Sequence, residues 1–364
     1  MREGKIGVQE AIALIAITIS VKVYFTSPTY VSKIIGTASW YMTLISTATA
    51  ILGFTFIYKL LKRFPGKDLI DAFELTLGHI VGFIASMVLL LYFLVNTSLL
   101  LREFAEVLKI YALPLTPPSF VIGMFLMMVC ISCFLGLESI ARTARLIGLY
   151  VLAGFLIVII LAFNNYDYHN LFPFLGNGLG KTLLAGASRS SFYGEVISLG
   201  IIATSMQGVS HIKKAGYTAL TISGLIVSIA LFATMMAFNY ATSQEIVSRM
   251  YELSRVIRIG GFLQRLDPIF LFTWCIGTLI AISLLFYCLV KTYCKSFKIK
   301  DMRPAIIPLA VIVFTVCMLP EDMITISEYV QFIRQNDWSI SLGLPTVVLI
   351  IAVIRKKKGV SKSV

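Results

Sequence analysis

The stretch AIALIAITISVKVYFTSPTYVSKIIGTASW, Ala11–Trp40, decides how the chain is read. It is apolar over a length sufficient to cross a bilayer, which takes about 20 residues. Yet it carries Lys22 near its middle and Pro28 soon after. A charged side chain at the centre of a spanning helix costs about 3 kcal/mol on insertion scales. Proline removes a backbone donor and interrupts the helix. Freed backbone groups persist at membrane depth only where protein or a water-filled cavity satisfies them. The first apolar run is therefore read as a broken spanning helix with a polar partner elsewhere.

Composition supports a membrane setting. The 364 residues are 58% hydrophobic and only 13% charged, with a mean hydropathy of +0.89. Soluble domains are about half apolar and about a quarter charged. The chain is an integral membrane protein on this reading, with the lipid bilayer as its solvent. The first apolar run is too long for the core of a cleavable signal and lacks a small-residue cleavage site behind it.

An all-α fold of about ten transmembrane helices follows, with approximate limits 7–33, 39–60, 79–108, 119–137, 143–163, 186–206, 216–239, 266–293, 304–319 and 339–354. The net charge of +13 is read as topology. Arg2, Lys5, Lys59, Lys62, Arg63, Lys67, Arg142, Arg145, Lys213 and Lys214 fall on one side, as do Lys291, Lys295, Lys298, Lys300 and Arg303. The tail RKKKGVSKSV adds more basic residues to the same side. The positive-inside rule then puts both termini in the cytoplasm. A basic tail after a last span is a stop signal beside anionic lipid, so no nucleic-acid partner is expected.

Two segments look like helices lying on the surface. FPGKDLIDAFELTLGH follows span two, with Leu69, Ile70, Phe73 and Leu77 on its apolar face. SQEIVSRMYELSRVIRIGGFLQR follows span seven on the opposite side, and carries Arg249, Arg255, Arg258 and Arg265. This layout suggests two inverted five-helix repeats, 1–165 and 186–354, with an extracytoplasmic loop at 166–185 and a basic cytoplasmic tail at 355–364. Transporters built from such repeats hold their site at the midplane, where the first helix of each half breaks.

Both first helices carry the expected interruption. Span one contains TISVKVYFTSP, and span six contains SRSSFYGEVISLG. Lys22 in one and Glu195 in the other are opposite charges at matching positions, and Gly194 could let the backbone leave the helix. Candidate ligand-binding residues are Lys22, Tyr24 and Thr26 in span one, and Tyr193, Gly194 and Glu195 in span six. Tyr92 and Asn96 share a face of span three, and Thr278 projects from span eight. Arg189 is expected near the outer interface.

Other chemistry is not visible. Cys130 and Cys133 form a C-x-x-C, but inside the membrane run MFLMMVCISCFLG. His79, His169 and His211 are too scattered to close a metal site. LGNGLG runs into Lys181 and Thr182, but it falls in an outside loop without the strand that precedes a phosphate cradle. No catalytic triad or paired-carboxylate motif is found, so neither an enzyme nor a cofactor is expected.

Several ordered stretches resemble the B subunit of spore germinant receptors, a branch of the amino acid–polyamine–organocation transporter superfamily. They are LLKRFPGKDLIDAFELTLG, LLREFAEVLKIYALPLTPP, NLFPFLGNGLG, ELSRVIRIGGFLQRLDPIFLFTW and MRPAIIPLAVIVF. The resemblance implies a leucine-transporter-type fold with broken helices one and six, and the sensing of a small germinant such as an amino acid. It also implies a larger A subunit and a lipoprotein C subunit as partners, and the spore inner membrane as location. The family often has a glycine-containing stretch in the first span; here ISVKVYFTSP has none. Two other readings stay open: an amino-acid or cation-coupled permease, and a scaffold subunit that binds nothing.

Overall fold

The computed structural model describes residues 4–259, 263–264 and 266–359. Arg2, Arg265 and Lys362, used in the charge reading, lie outside them. The first half runs α1 (Val8–Ser20), α2 (Ser27–Ile35), α3 (Ser39–Arg63), α4 (Leu69–Leu77), α5 (His79–Tyr111), α6 (Pro118–Leu135) and α7 (Leu137–Leu161). The second half begins with α8 (Leu179–Ser188), α9 (Ser198–Ile201), α10 (Val209–Ala237), α11 (Tyr240–Ser243) and α12 (Arg249–Val256). It ends with α13 (Asp267–Ser296), α14 (Arg303–Cys317), α15 (Met323–Asn336) and α16 (Leu344–Ile354). A short antiparallel hairpin, β1 (Arg258–Ile259) with β2 (Leu263–Gln264), leads from α12 to α13.

Among the described residues, seven helical runs are long and apolar enough to cross a bilayer. A shorter apolar helix, α14, and two split crossings, α1 with α2 and α8 with α9, complete the ten spans. Spans one to five and six to ten form the two five-helix sets. In each set a short helix follows the second span: α4 after α3, and α12 after α10. Both have polar N-caps. Asp68 accepts from Asp71 N–H at 3.1 Å, and Ser248 from Tyr251 N–H at 3.4 Å, each satisfying a donor that the first turn leaves free.

The core sits where α1, α3, α5, α10 and α13 meet. From Ile280 to Thr292 every residue of α13 is buried, as expected of a helix enclosed by others. By contrast, α6, α7 and α14 keep large apolar side chains exposed, among them Phe120, Leu149, Ile160 and Val311. Such a band suits lipid. At one end of the core, Lys295 Nζ lies 2.5 Å from Asp68 and 2.8 Å from Asp71, tying α13 to α4. Burial nonetheless holds the Asp68 carboxyl above its usual range.

The glycine-rich LGNGLG turns out to be a helix stop. Asn177 donates from its backbone N–H to Ile35 O at 3.0 Å, and from its side chain to Ile34 O at 2.7 Å. These bonds satisfy carbonyls that the end of α2 leaves free. Gly176 has a φ of +51°, and a Cβ there would collide with Ile35 O.

Four sequence expectations need correction. Span ten starts at Met323, not 339, and residues read as an outer loop form α15. Span six starts at Leu179, not 186. Asn336 ends α15 within span ten, where an outer loop was expected. Arg249 is buried, not on the surface: it donates to Ser243 O at 2.8 Å and Ser32 Oγ at 2.7 Å. Burial pushes its guanidinium down to about 9. It fastens α12 onto α2.

Candidate functional site

Span one loses α geometry after Ser20. Residues Val21–Tyr24 form a 3-10 turn, Phe25 is extended, and α2 restarts with Pro28 in its first turn. Span six breaks over a longer stretch, the nine-residue 3-10 segment Arg189–Ile197. Such segments rarely exceed about four residues, so this one is held by its neighbours. Gly194 is where they press. A Cβ there would come within 3.0 Å of Tyr92 Oη and 2.9 Å of Ser341 Oγ.

The two breaks face each other through Lys22 and Glu195. Lys22 Nζ lies 2.5 Å from Glu195 Oε2, and both side chains are almost fully buried. The ammonium also donates to the carbonyl of Phe192 and lies 4.4 Å from the centroid of that ring. A carboxylate, a freed carbonyl and an aromatic face thus share the charge. Lys22 is tolerated in the bilayer because span six is built around it.

A second buried pair lies beside the first. Glu103 of α5 and Arg334 of α15 are 3.1 Å apart. Thr26 donates its backbone N–H to Glu103 Oε1 at 3.0 Å and its hydroxyl to the same oxygen. Ser191, in the span-six break, donates to the carbonyl of Arg334. Asn96 donates to Tyr92 O at 3.0 Å and to Asp337 Oδ2 at 3.4 Å. Spans one, three, six and ten are therefore joined by one polar network. Arg189 belongs to its edge, not to the outer interface: it is buried, donates to Gln331 Oε1 at 3.3 Å and lies over the Tyr30 ring.

The network encloses a cavity of about 20 Å³, lined by Lys22, Asn96, Glu103, Glu195, Arg334 and Asp337. That is room for about one water. A separate pocket of about 280 Å³ opens on the face away from the termini, lined by Thr26, Tyr30, Lys33, Glu245, Glu328 and Gln331. Thr26 lines the outer pocket while bonding Glu103 of the inner one, so the Glu103–Arg334 pair and Thr26 form the partition between them.

Of the residues singled out from sequence, Lys22, Asn96 and Glu195 line the cavity, Thr26 forms its partition, and Tyr92 and Gly194 pack behind it. The others sit elsewhere. Tyr24 packs edge-on against Phe270 at 5.0 Å and lines a groove between α1, α7 and α10. Tyr193 points to α3, donating to Thr43 O at 3.4 Å. Thr278 is buried on α13 away from the cavity lining. Sequence reasoning missed Glu103, Arg334 and Asp337. The last two were lost with α15, whose signal was present: Asp322 caps Thr325 N–H at 2.8 Å, and Met323, Ile326, Val330 and Ile333 recur at helical spacing.

Comparison with known proteins gives consistent matches. A family model described as "Spore germination protein" matches residues 5–326. Spore germination protein KB of Bacillus subtilis (strain 168) is 25% identical over 336 residues, covering 89% of this chain and 88% of that protein. A Na+-coupled sialic acid symporter, solved in a substrate-bound outward-open state, superposes with a TM-score of 0.68 at 12% identity, over 95% of this chain and 79% of the other. MhsT in complex with L-phenylalanine gives 0.62 at 16% identity, over 97% and 90%. These structural likenesses establish the leucine-transporter-type fold, with helices one and six broken.

Proposed function

This chain belongs to the spore germination protein family, and we propose that it is the nutrient-sensing B subunit of a germinant receptor. It is a multi-pass membrane protein of the germination and transport type. The proposed ligand is a small zwitterion such as an amino acid, bound between the breaks of spans one and six. One observation carries this reading: Lys22 and Glu195, opposite charges 2.5 Å apart, close a polar cavity at the two breaks. Lys22 offers a cation for a carboxylate, and Glu195 offers an anion for an ammonium, with the Asp337 carboxyl beside it. The cavity as it stands is too small for such a ligand, so capture must part the pair. Binding then shifts the balance toward a more open conformation. That MhsT was solved with L-phenylalanine supports an amino acid as the ligand class.

In this reading the chain works in the spore inner membrane beside an A subunit and a lipoprotein C subunit, without enzymatic activity. Deleting the gene should abolish the response of dormant spores to one nutrient class while uptake of that nutrient by growing cells stays normal. The symporter-like fold favours a second reading, a permease. Loss of uptake with germination intact would establish that reading instead.

We place both termini in the cytoplasm. On a cysteine-free background, Lys298→Cys should be shielded from an impermeant reagent added outside, while Asn177→Cys and Glu321→Cys should react. Outside labelling at Lys298 would reverse the orientation.

A further inference from the structure

At the face that carries both termini, α3 and α16 diverge and leave a groove of about 830 Å³. Its walls are apolar: Phe56 from α3, and Leu349, Ile350, Val353 and Ile354 from α16. Its mouth carries Lys59, Lys62, Arg63 and Lys358, and no carboxylate among the described residues lines it. Among the described residues, none of these four cations is in an ion pair. The basic rim is held in place by the chain itself. Arg63 Nε donates to Lys357 O at 2.8 Å, and Gly359 N–H donates to Arg63 O at 3.0 Å, folding residues 357–359 onto the end of α3.

We propose that this groove binds an anionic phospholipid, with an acyl chain along α16 and the phosphate headgroup among the four cations. The dimensions suit it. From Thr346 to Ile354 the helical wall rises about 12 Å, most of the roughly 15 Å of hydrocarbon in one leaflet. Basic pockets between spanning helices favour anionic headgroups. A second groove, about 400 Å³ between α1, α7 and α10, lacks this feature, because its Arg145 is already paired with Glu10 at 2.5 Å. A lipid here bridges span two to the lower half of span ten, whose upper half carries Arg334 and Asp337.

The test is native mass spectrometry of the purified full-length protein, offered phosphatidylglycerol or phosphatidylcholine with the same acyl chains. The wild type should retain phosphatidylglycerol about tenfold better, and Lys59→Gln/Lys62→Gln/Lys358→Gln should lose that preference. These lysines are exposed, so the variant should fold. Val353→Trp provides a second variant, which fills the groove without touching a charge and should also reduce retention. Undiminished retention in both variants would overturn the proposal, as would equal retention of phosphatidylcholine by the wild type. Displacement of the lipid by free glycerol phosphate would overturn it too, reducing the site to one for free phosphate.

Discussion

Replacing Lys22 by methionine should leave much less protein in the membrane, and adding Glu195→Gln to the same chain should bring most of it back. The single change strands the Glu195 carboxylate in a site with almost no solvent access. Breaking a buried pair by removing one partner costs about 3–5 kcal/mol. Against a total stability of about 5–15 kcal/mol, that is a large share. The converse single change, Glu195→Gln, leaves the Lys22 ammonium with the Phe192 carbonyl and ring, so its loss should be the smaller of the two. In the double variant both charges are gone and the structural cost largely cancels. Membrane abundance and thermal midpoint across the four members of the cycle give the coupling, expected at about 2 kcal/mol or more. Strictly additive losses would mean that the two side chains act separately.

Glu103→Gln should cost about 3 kcal/mol, at the low end of the same range, because the side chain of its partner Arg334 keeps 11% exposure. Glutamine can still accept from the Thr26 N–H, so the distinct consequence is at the partition. With Arg334 unpaired, the barrier between the outer pocket and the central cavity should loosen. On a cysteine-free background, Asn96→Cys should then react several-fold faster with an impermeant reagent when Glu103→Gln is present. An unchanged rate would show that the Glu103–Arg334 pair is not the partition.

The first part of the site was legible because its chemistry contradicts its surroundings. Lys22 and Glu195 are charges inside apolar runs, each next to a helix-breaking signal, Pro28 or Gly194. Such contradictions need a partner, and the two runs stand at the same place in the two halves. The Glu103–Arg334 pair was not legible by this route. EDMITISEYVQFIRQNDWS is polar enough to read as a loop, yet its helix is covered by spans three and six, with Ile326 and Val330 buried. A span whose polar face points inward hides from hydropathy. The same reasoning misplaced Arg189 and Arg249. Each is a cation with a neutral side-chain partner, Gln331 or Ser32, that lies far away in sequence. Tyr24 and Tyr193 were chosen as neighbours of the breaks. A break, however, turns successive side chains to different sides, and theirs point to Phe270 and Thr43.

The central claim is that a small zwitterion takes the place of the Lys22–Glu195 contact. The most direct measurement is the thermal stabilisation of the purified protein by a panel of free amino acids, repeated on the Lys22→Met/Glu195→Gln variant. A ligand at a hundredfold its dissociation constant stabilises by about 2.7 kcal/mol. The account predicts a shift of that order in the wild type for at least one amino acid, and none in the double variant. A double variant that folds and is stabilised as strongly as the wild type, or a wild type that no amino acid stabilises, would contradict it.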